Sequence, residues 1–250
     1  MTETVPSMEI LGVRINSISG EDAVVRLEQM ALSGRPHHVV TVNPEFIMMA
    51  QENKEFRTVL SRSDLALPDG VGVLWAARIL GSPLRERVAG VDTVTALARV
   101  AARKEIRIFL LGAAPGVAER VALRLERENP GLVIAGAYAG SPDPREEDEI
   151  CRRIEAARPH VLLVAYGPPR QDLWIARTAD RLRIPVAIGV GGTFDFIAGV
   201  VLRAPVWMQK AGLEWLYRLM QEPRRWRRMM SLPRVAAAVL KDKISGAHGR

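Results

Sequence analysis

Short apolar runs rich in Val, Ile and Leu alternate along this chain with amphipathic stretches, and a glycine or proline turn separates most of them. Runs of this kind read as strands buried on both faces, and the periodic stretches between them read as helices. Strands are expected over residues 37–42, 65–67, 106–111, 132–138, 161–165 and 185–190. Helices are expected over residues 21–32 behind Ser19, from Asn43-Pro44-Glu45 towards Leu60 with a break near Glu52, and over 71–80, 91–104 and 144–157. A further helix starts at Pro115, and another runs from Gly167-Pro168-Pro169 through Asp180. Repeated βα units imply a Rossmann-like α/β fold, a parallel sheet sandwiched by helices. At 250 residues the chain is long enough for such a core without disulfides or structural metal.

In a parallel sheet, ligands bind beyond the carboxyl ends of the strands, where helix N-termini point into the crevice. Thr41, Asn43, Asp69, Gly112, Gly140, the segment from Gly167 to Gln171, and the segment from Gly191 through Gly192 to Asp195 all follow an expected strand. Each carries two readings. The glycines are tight turns or close approaches to a phosphate. Asp69 is a helix N-cap or a general base. Arg87 and Asp92 form surface ion pairs or belong to a site. Arg170 and Gln171 occupy the first turn of a helix, where a cation opposes the helix dipole.

Charge divides the chain unevenly. Residues 203–250 hold 11 Lys+Arg and 3 Asp+Glu, a net of +8, so the first 202 residues net −1. Three of the five tryptophans, Trp207, Trp215 and Trp226, lie in the same segment. Two domains are therefore expected: a catalytic α/β domain over 1–202 and a basic, Trp-rich helical appendage over 203–250. Trp207, Ala211, Trp215 and Leu219 recur at i+4 as one apolar helical stripe, with Glu214 and Arg218 as an i,i+4 pair. Basic charge beside Trp and Met suits an anionic membrane surface; nucleic acid finds no matching motif in the body. Residues after Pro233 fit no motif, and 241–250 read as a frayed end.

Other chemistries lack their signatures. The single Cys151 cannot form an internal disulfide and reads as a core residue. The four histidines show no zinc spacing, no Asp-x-Asp pair is present, and there is no Gly-x-Ser-x-Gly elbow. The opening MTETVPSMEI has neither the basic nor the apolar region of a signal peptide, and no apolar run reaches the length of a membrane span.

The motifs Thr41-Val42-Asn43-Pro44-Glu45, Pro68-Asp69-Gly70-Val71-Gly72, Arg87-Val88-Ala89-Gly90-Val91-Asp92, Gly167-Pro168-Pro169-Arg170-Gln171, Gly191-Gly192-Thr193-Phe194-Asp195-Phe196 and Gly212-Leu213-Glu214-Trp215-Leu216-Tyr217-Arg218 follow one another in order. Together they resemble the WecG/TagA/CpsF glycosyltransferases. That resemblance implies a bacterial enzyme, peripheral on the inner face of the cytoplasmic membrane. It implies transfer of an N-acetylmannosamine-type sugar from a UDP donor to a polyprenyl-diphosphate-linked amino sugar, for wall teichoic acid, common antigen or capsule. The chemistry implied is inverting and needs no metal or other cofactor. By the same resemblance Asp69 is the base, and Thr41, Asn43, Arg87 and Gln171 orient the reactants. Arg218, Arg225 and Arg228 meet the donor phosphates; Gly112, Gly140, Gly167, Arg170, Gly191, Gly192 and Asp195 line the nucleotide site. A dinucleotide oxidoreductase and a non-enzymatic adaptor are the competing classes. The sugar, the lipid and the oligomeric state, homo-oligomers included, stay open.

Overall fold

A computed structural model describes residues 5–245. The chain opens with a hairpin of β1 (Ser7–Ile10) and β2 (Val13–Asn16), paired antiparallel. Leu11 and Gly12 form its two-residue turn, both with positive φ, as a right-twisting hairpin requires. Then follow α1 (Gly20–Leu32), β3 (His38–Val42), α2 (Pro44–Glu52), α3 (Lys54–Arg62), β4 (Leu65–Pro68), α4 (Val71–Ile79) and α5 (Gly90–Lys104). The second half runs β5 (Arg107–Gly112), α6 (Val117–Glu128), β6 (Val133–Tyr138), α7 (Glu147–Ala157), β7 (Val161–Ala165), α8 (Arg170–Leu182), β8 (Val186–Gly189) and α9 (Thr193–Ile197). The basic segment forms α10 (Val206–Lys210), α11 (Glu214–Gln221), α12 (Trp226–Met229) and α13 (Ser231–Ile244).

β3 to β8 form one parallel sheet in the order β4-β3-β8-β7-β5-β6. Alternate strand residues serve opposite layers, as the pleat dictates. Val39, Leu65, Ile108, Leu163 and Ile188 pack in a core with α1, α5, α6 and α9. On the other face, Val40 and Ala66 join the hairpin, α2, α3 and α4, while Phe109, Leu162 and Ala187 join α7 and α8. Cys151 is buried in that last cluster, where burial pushes its thiol up to about 11.

The hairpin is absent from the sequence expectation. It shields the sheet edge: Asn16 Oδ1 accepts the Ala66 N–H of the edge strand β4 at 2.8 Å, and Arg14 donates to the Ser63 carbonyl. Two expectations for the basic segment are corrected. Gly212, at φ +74, ends α10, so residues 206–220 are two helices and the Trp207–Leu219 stripe does not lie on one face. Beyond Arg203 the basic appendage packs against the α/β body. Val235 and Val239 of α13 are buried in the core with α2 and α4, and the helix continues to Ile244 instead of fraying from Lys241. Residues 246–250 of the expected frayed end lie outside the described residues.

Candidate active site

From β3 the chain moves outward to β4, whereas β8 approaches β3 from the other half of the sheet. The loops after β3 and β8 therefore part, and a crevice opens at their carboxyl ends. Thr41 Oγ1 donates to the Gly189 carbonyl at 2.9 Å and ties the two strands together there. Asn43 caps α2: its Oδ1 accepts from Glu45 N (2.9 Å) and Phe46 N (3.1 Å). Above the crevice lies a cavity of about 230 Å³. Thr41, Asn43, Asp69, Arg87, Gln171, Gly191, Gly192, Arg218, Arg225 and Arg228 all line it, from six different parts of the chain.

Asp69 follows β4 directly, and its N–H donates to the Val42 carbonyl at 2.8 Å. The segment bearing Arg87 runs alongside, held by Val88 N donating to the Pro68 carbonyl (2.8 Å). That contact delivers both Arg87 and the start of α5 to the Asp69 side chain. Burial pushes the Asp69 carboxyl up from 3.8 to about 6. Arg87 opposes that rise, Glu214 reinforces it, and the Gly90 N–H donated to the carboxylate opposes it. The group is thus a carboxylate at neutral pH with raised basicity, the state a general base needs.

Arg87 acts on Asp69 through its charge and bonds elsewhere. Its Nη1 donates to Glu214 Oε2 at 2.8 Å. Glu214 Oε1 accepts from Arg203 Nε (3.0 Å), and Arg203 Nη2 donates to Asp92 Oδ2 (2.7 Å). This chain of ion pairs pins the basic segment over the crevice. Glu214 was expected to pair with Arg218; it pairs with Arg87 and Arg203 instead. Arg218 turns the other way, onto Glu222 (2.9 Å) and Asp195 (3.7 Å), with its guanidinium 4.4 Å above the Phe196 ring. A Cβ on Gly192 would meet Arg218 Nη2 at 2.6 Å, so glycine is what admits the guanidinium to this turn.

Gln171 is fully buried, and its Oε1 accepts from both Gly167 N (3.1 Å) and Gly191 N (2.9 Å), locking two glycine turns to each other. Arg228 grips Glu45 with two bonds of 2.7 Å. Among the described residues, Arg218 Nη2, Arg225 Nε, Gln171 Nε2 and Trp215 Nε1 are buried and have no hydrogen-bond acceptor. Burial, then the neighbouring Arg218 and Arg228, push Arg225 down to about 10. Crowded guanidinium groups with unpaired donors can receive an anion.

Other expected site residues lie apart. Gly167 borders the cavity through Gln171, and Asp195 through Arg218, but neither lines it. Arg170 is exposed and outside the lining. Gly112 ends β5 and Gly140 follows β6, the two strands farthest from β4, and neither lines the cavity. Gly112 faces the Ala165 backbone, where a Cβ would approach to 2.8 Å, and Gly140 faces Tyr166 Oη. Their smallness serves packing between neighbouring loops. Glu45, Thr193, Glu214 and Trp215 line the cavity without having been singled out for it. For Glu214 the available sign was the excess of arginines in its segment over acids able to hold them.

A doubly wound sheet that sets a basic carboxylate against an arginine cluster at one crevice is suited to proton transfer beside an anionic group. The sequence profile described as the glycosyl transferase WecG/TagA/CpsF family matches residues 8–249, and this chain belongs to that family. It is 40% identical over 209 residues to the N-acetylglucosaminyldiphosphoundecaprenol N-acetyl-beta-D-mannosaminyltransferase of Bacillus spizizenii, covering 84% of this chain and 80% of that protein. The protein of the same description from Bacillus subtilis is 40% identical over 205 residues (82% and 79%). One from Staphylococcus aureus is 28% identical over 238 residues (94% and 93%). The chain is thus a glycosyltransferase, which sets aside the oxidoreductase and adaptor readings.

Proposed function

We propose that this enzyme moves an N-acetylmannosamine-type sugar from a UDP donor to a hydroxyl of a polyprenyl-diphosphate-linked N-acetylglucosamine, with inversion and without a metal. The observation that carries this is the pairing, across one cavity, of Asp69, raised to about 6, with Arg218, Arg225 and Arg228. The acceptor hydroxyl attacks the anomeric carbon of the donor sugar. Asp69 takes its proton as the new C–O bond forms, and the bond from that carbon to the UDP oxygen breaks on the opposite face. Negative charge grows on the departing diphosphate, and the idle N–H groups of Arg218 and Arg225 are the donors available to meet it. In this reading the guanidinium groups of Arg218, Arg225 and Arg228 supply the positive charge that a metal would otherwise bring. Thr41 and Gln171 hold the strand ends and glycine turns against which both substrates settle.

The basic segment docks on the inner face of the cytoplasmic membrane as a peripheral appendage, while it closes the site. No helix among the described residues is long and apolar enough to cross a membrane. Trp207, Met220, Trp226 and Met230 are exposed along this segment, and Arg224 and Arg227 are exposed among them. Apolar side chains that enter the interface beside basic ones that meet anionic headgroups support this reading. The decisive assay incubates the enzyme with a panel of UDP-sugars and a synthetic lipid-diphosphate N-acetylglucosamine, and reads products by mass spectrometry. The expected product is acceptor plus one N-acetylhexosamine, with UDP released and EDTA without effect. Absence of transfer from every UDP-sugar, or transfer that EDTA abolishes, overturns the reading.

A further inference from the structure

Next to the catalytic cavity lies a second one of about 480 Å³, within the ~300–1,000 Å³ range of ligand sites. Its floor is α4 and α13, with Trp75, Ile79 and Ala236 among its lining; its roof is Leu219 of α11 and Trp226 of α12. Among the described residues, no charged one lines it. It is continuous with the catalytic cavity, because Pro44, Gly72, Trp215, Met229 and Leu232 line both. Trp75 and Trp226 stay 51% and 55% exposed at its surface, so the groove opens outward. At the junction stands Trp215, whose buried Nε1–H has no acceptor among the described residues.

We propose that this groove holds the first isoprene units of the acceptor lipid, next to its diphosphate. The inference rests on the transferase reading above. An acceptor whose sugar hydroxyl reaches Asp69 carries its diphosphate and then its hydrocarbon chain outward by covalent connection. The apolar wall continuous with the cavity is this groove. Its uncharged lining suits an alkenyl chain and no part of a nucleotide or sugar. The Trp215 N–H at the junction suits the phosphate that precedes the chain. The roof belongs to the basic segment, so a bound prenyl chain also holds that segment over the donor.

The test compares N-acetylglucosamine diphosphates bearing a methyl, a geranyl or a farnesyl group, free of detergent, at saturating UDP-sugar. Each buried methylene strengthens binding about fourfold, so acceptor KM falls by well over ~10-fold from methyl to farnesyl in the wild type. Ala236→Trp fills the groove from an exposed position on α13 and raises the farnesyl-to-methyl KM ratio at least ~10-fold. Trp226→Ala removes part of the roof and raises the same ratio less, which keeps the test open if the larger side chain disturbs folding. A wild type indifferent to chain length, or two folded variants that keep its length preference, overturns the groove and leaves the transferase reading intact. Absence of transfer to all three acceptors overturns both.

Discussion

Replacing Asp69 by Asn separates chemistry from stability, because the carboxylate proposed as the base burdens the fold. Burial lifts this carboxyl from 3.8 to about 6. The folded protein therefore binds the proton more tightly than the unfolded chain does. Stabilisation from that proton is complete below about pH 4, declines as pH rises, and is lost above about pH 6. Two units at about 1.4 kcal/mol each give roughly 3 kcal/mol. Asp69 keeps some surface open to the cavity, and water reaching it reduces this to about 2 kcal/mol. Asn carries no charge and still offers an oxygen to the Gly90 N–H. At pH 8 the Asp69→Asn protein is expected to melt about 4–8 °C above the wild type, and at pH 4 the two melt together. Its turnover falls by roughly 10²–10⁴. Thermal unfolding by circular dichroism across that pH range, with turnover on the same preparations, is the assay. A variant less stable than wild type at pH 8, or a gap in melting temperature that ignores pH, refutes the argument.

Glu214→Gln removes a carboxylate that raises Asp69 and releases Arg87 towards it, so the acidic limb of the pH–rate profile moves below about 6 and the plateau drops. Pre-steady-state rates across pH check this, and an unmoved limb contradicts it. Gln171→Ala leaves the Gly167 and Gly191 N–H groups without their acceptor, at a cost of about 1–3 kcal/mol in denaturant unfolding. Arg225→Ala removes a cation crowded by Arg218 and Arg228; the Kd for UDP, by calorimetry, rises roughly 10–100-fold, the worth of a charge-assisted hydrogen bond.

The main sheet and its crevice are legible because the strands from β3 to β8 are short, mostly apolar runs, and because Asn43, Asp69 and Gly191 lie just beyond the ends of three of them. Strand order was not legible, since it is set by long-range pairing. Gly112 and Gly140 look equivalent to Gly191 along the chain. β6 nonetheless lies three strands from β8, about 14 Å at the usual strand spacing, so its loop cannot reach the same cavity by itself. The hairpin escaped notice because its strands are four residues each and Leu11 supplies one of the two positive φ angles, a role usually filled by Gly, Asn or Asp. The break at Gly212 was hidden by an i+4 recurrence that crosses it. A Cβ on Gly212 would meet Val71 Cγ2 at 2.9 Å, so close packing on α4 also calls for glycine there. The i,i+4 spacing offers Glu214 its helical neighbour Arg218, the local choice; tertiary packing offers it Arg87, 127 residues away.

Proton transfer to Asp69 is the step on which the account turns, and the pH dependence of wild-type kcat/KM tests it most directly. With UDP-sugar and a short-chain lipid-diphosphate acceptor in EDTA, kcat/KM is expected to fall tenfold per pH unit below about 6 and to level off above it. A profile flat from about pH 5 to 8, or one whose acidic limb persists unchanged in Asp69→Asn, contradicts it.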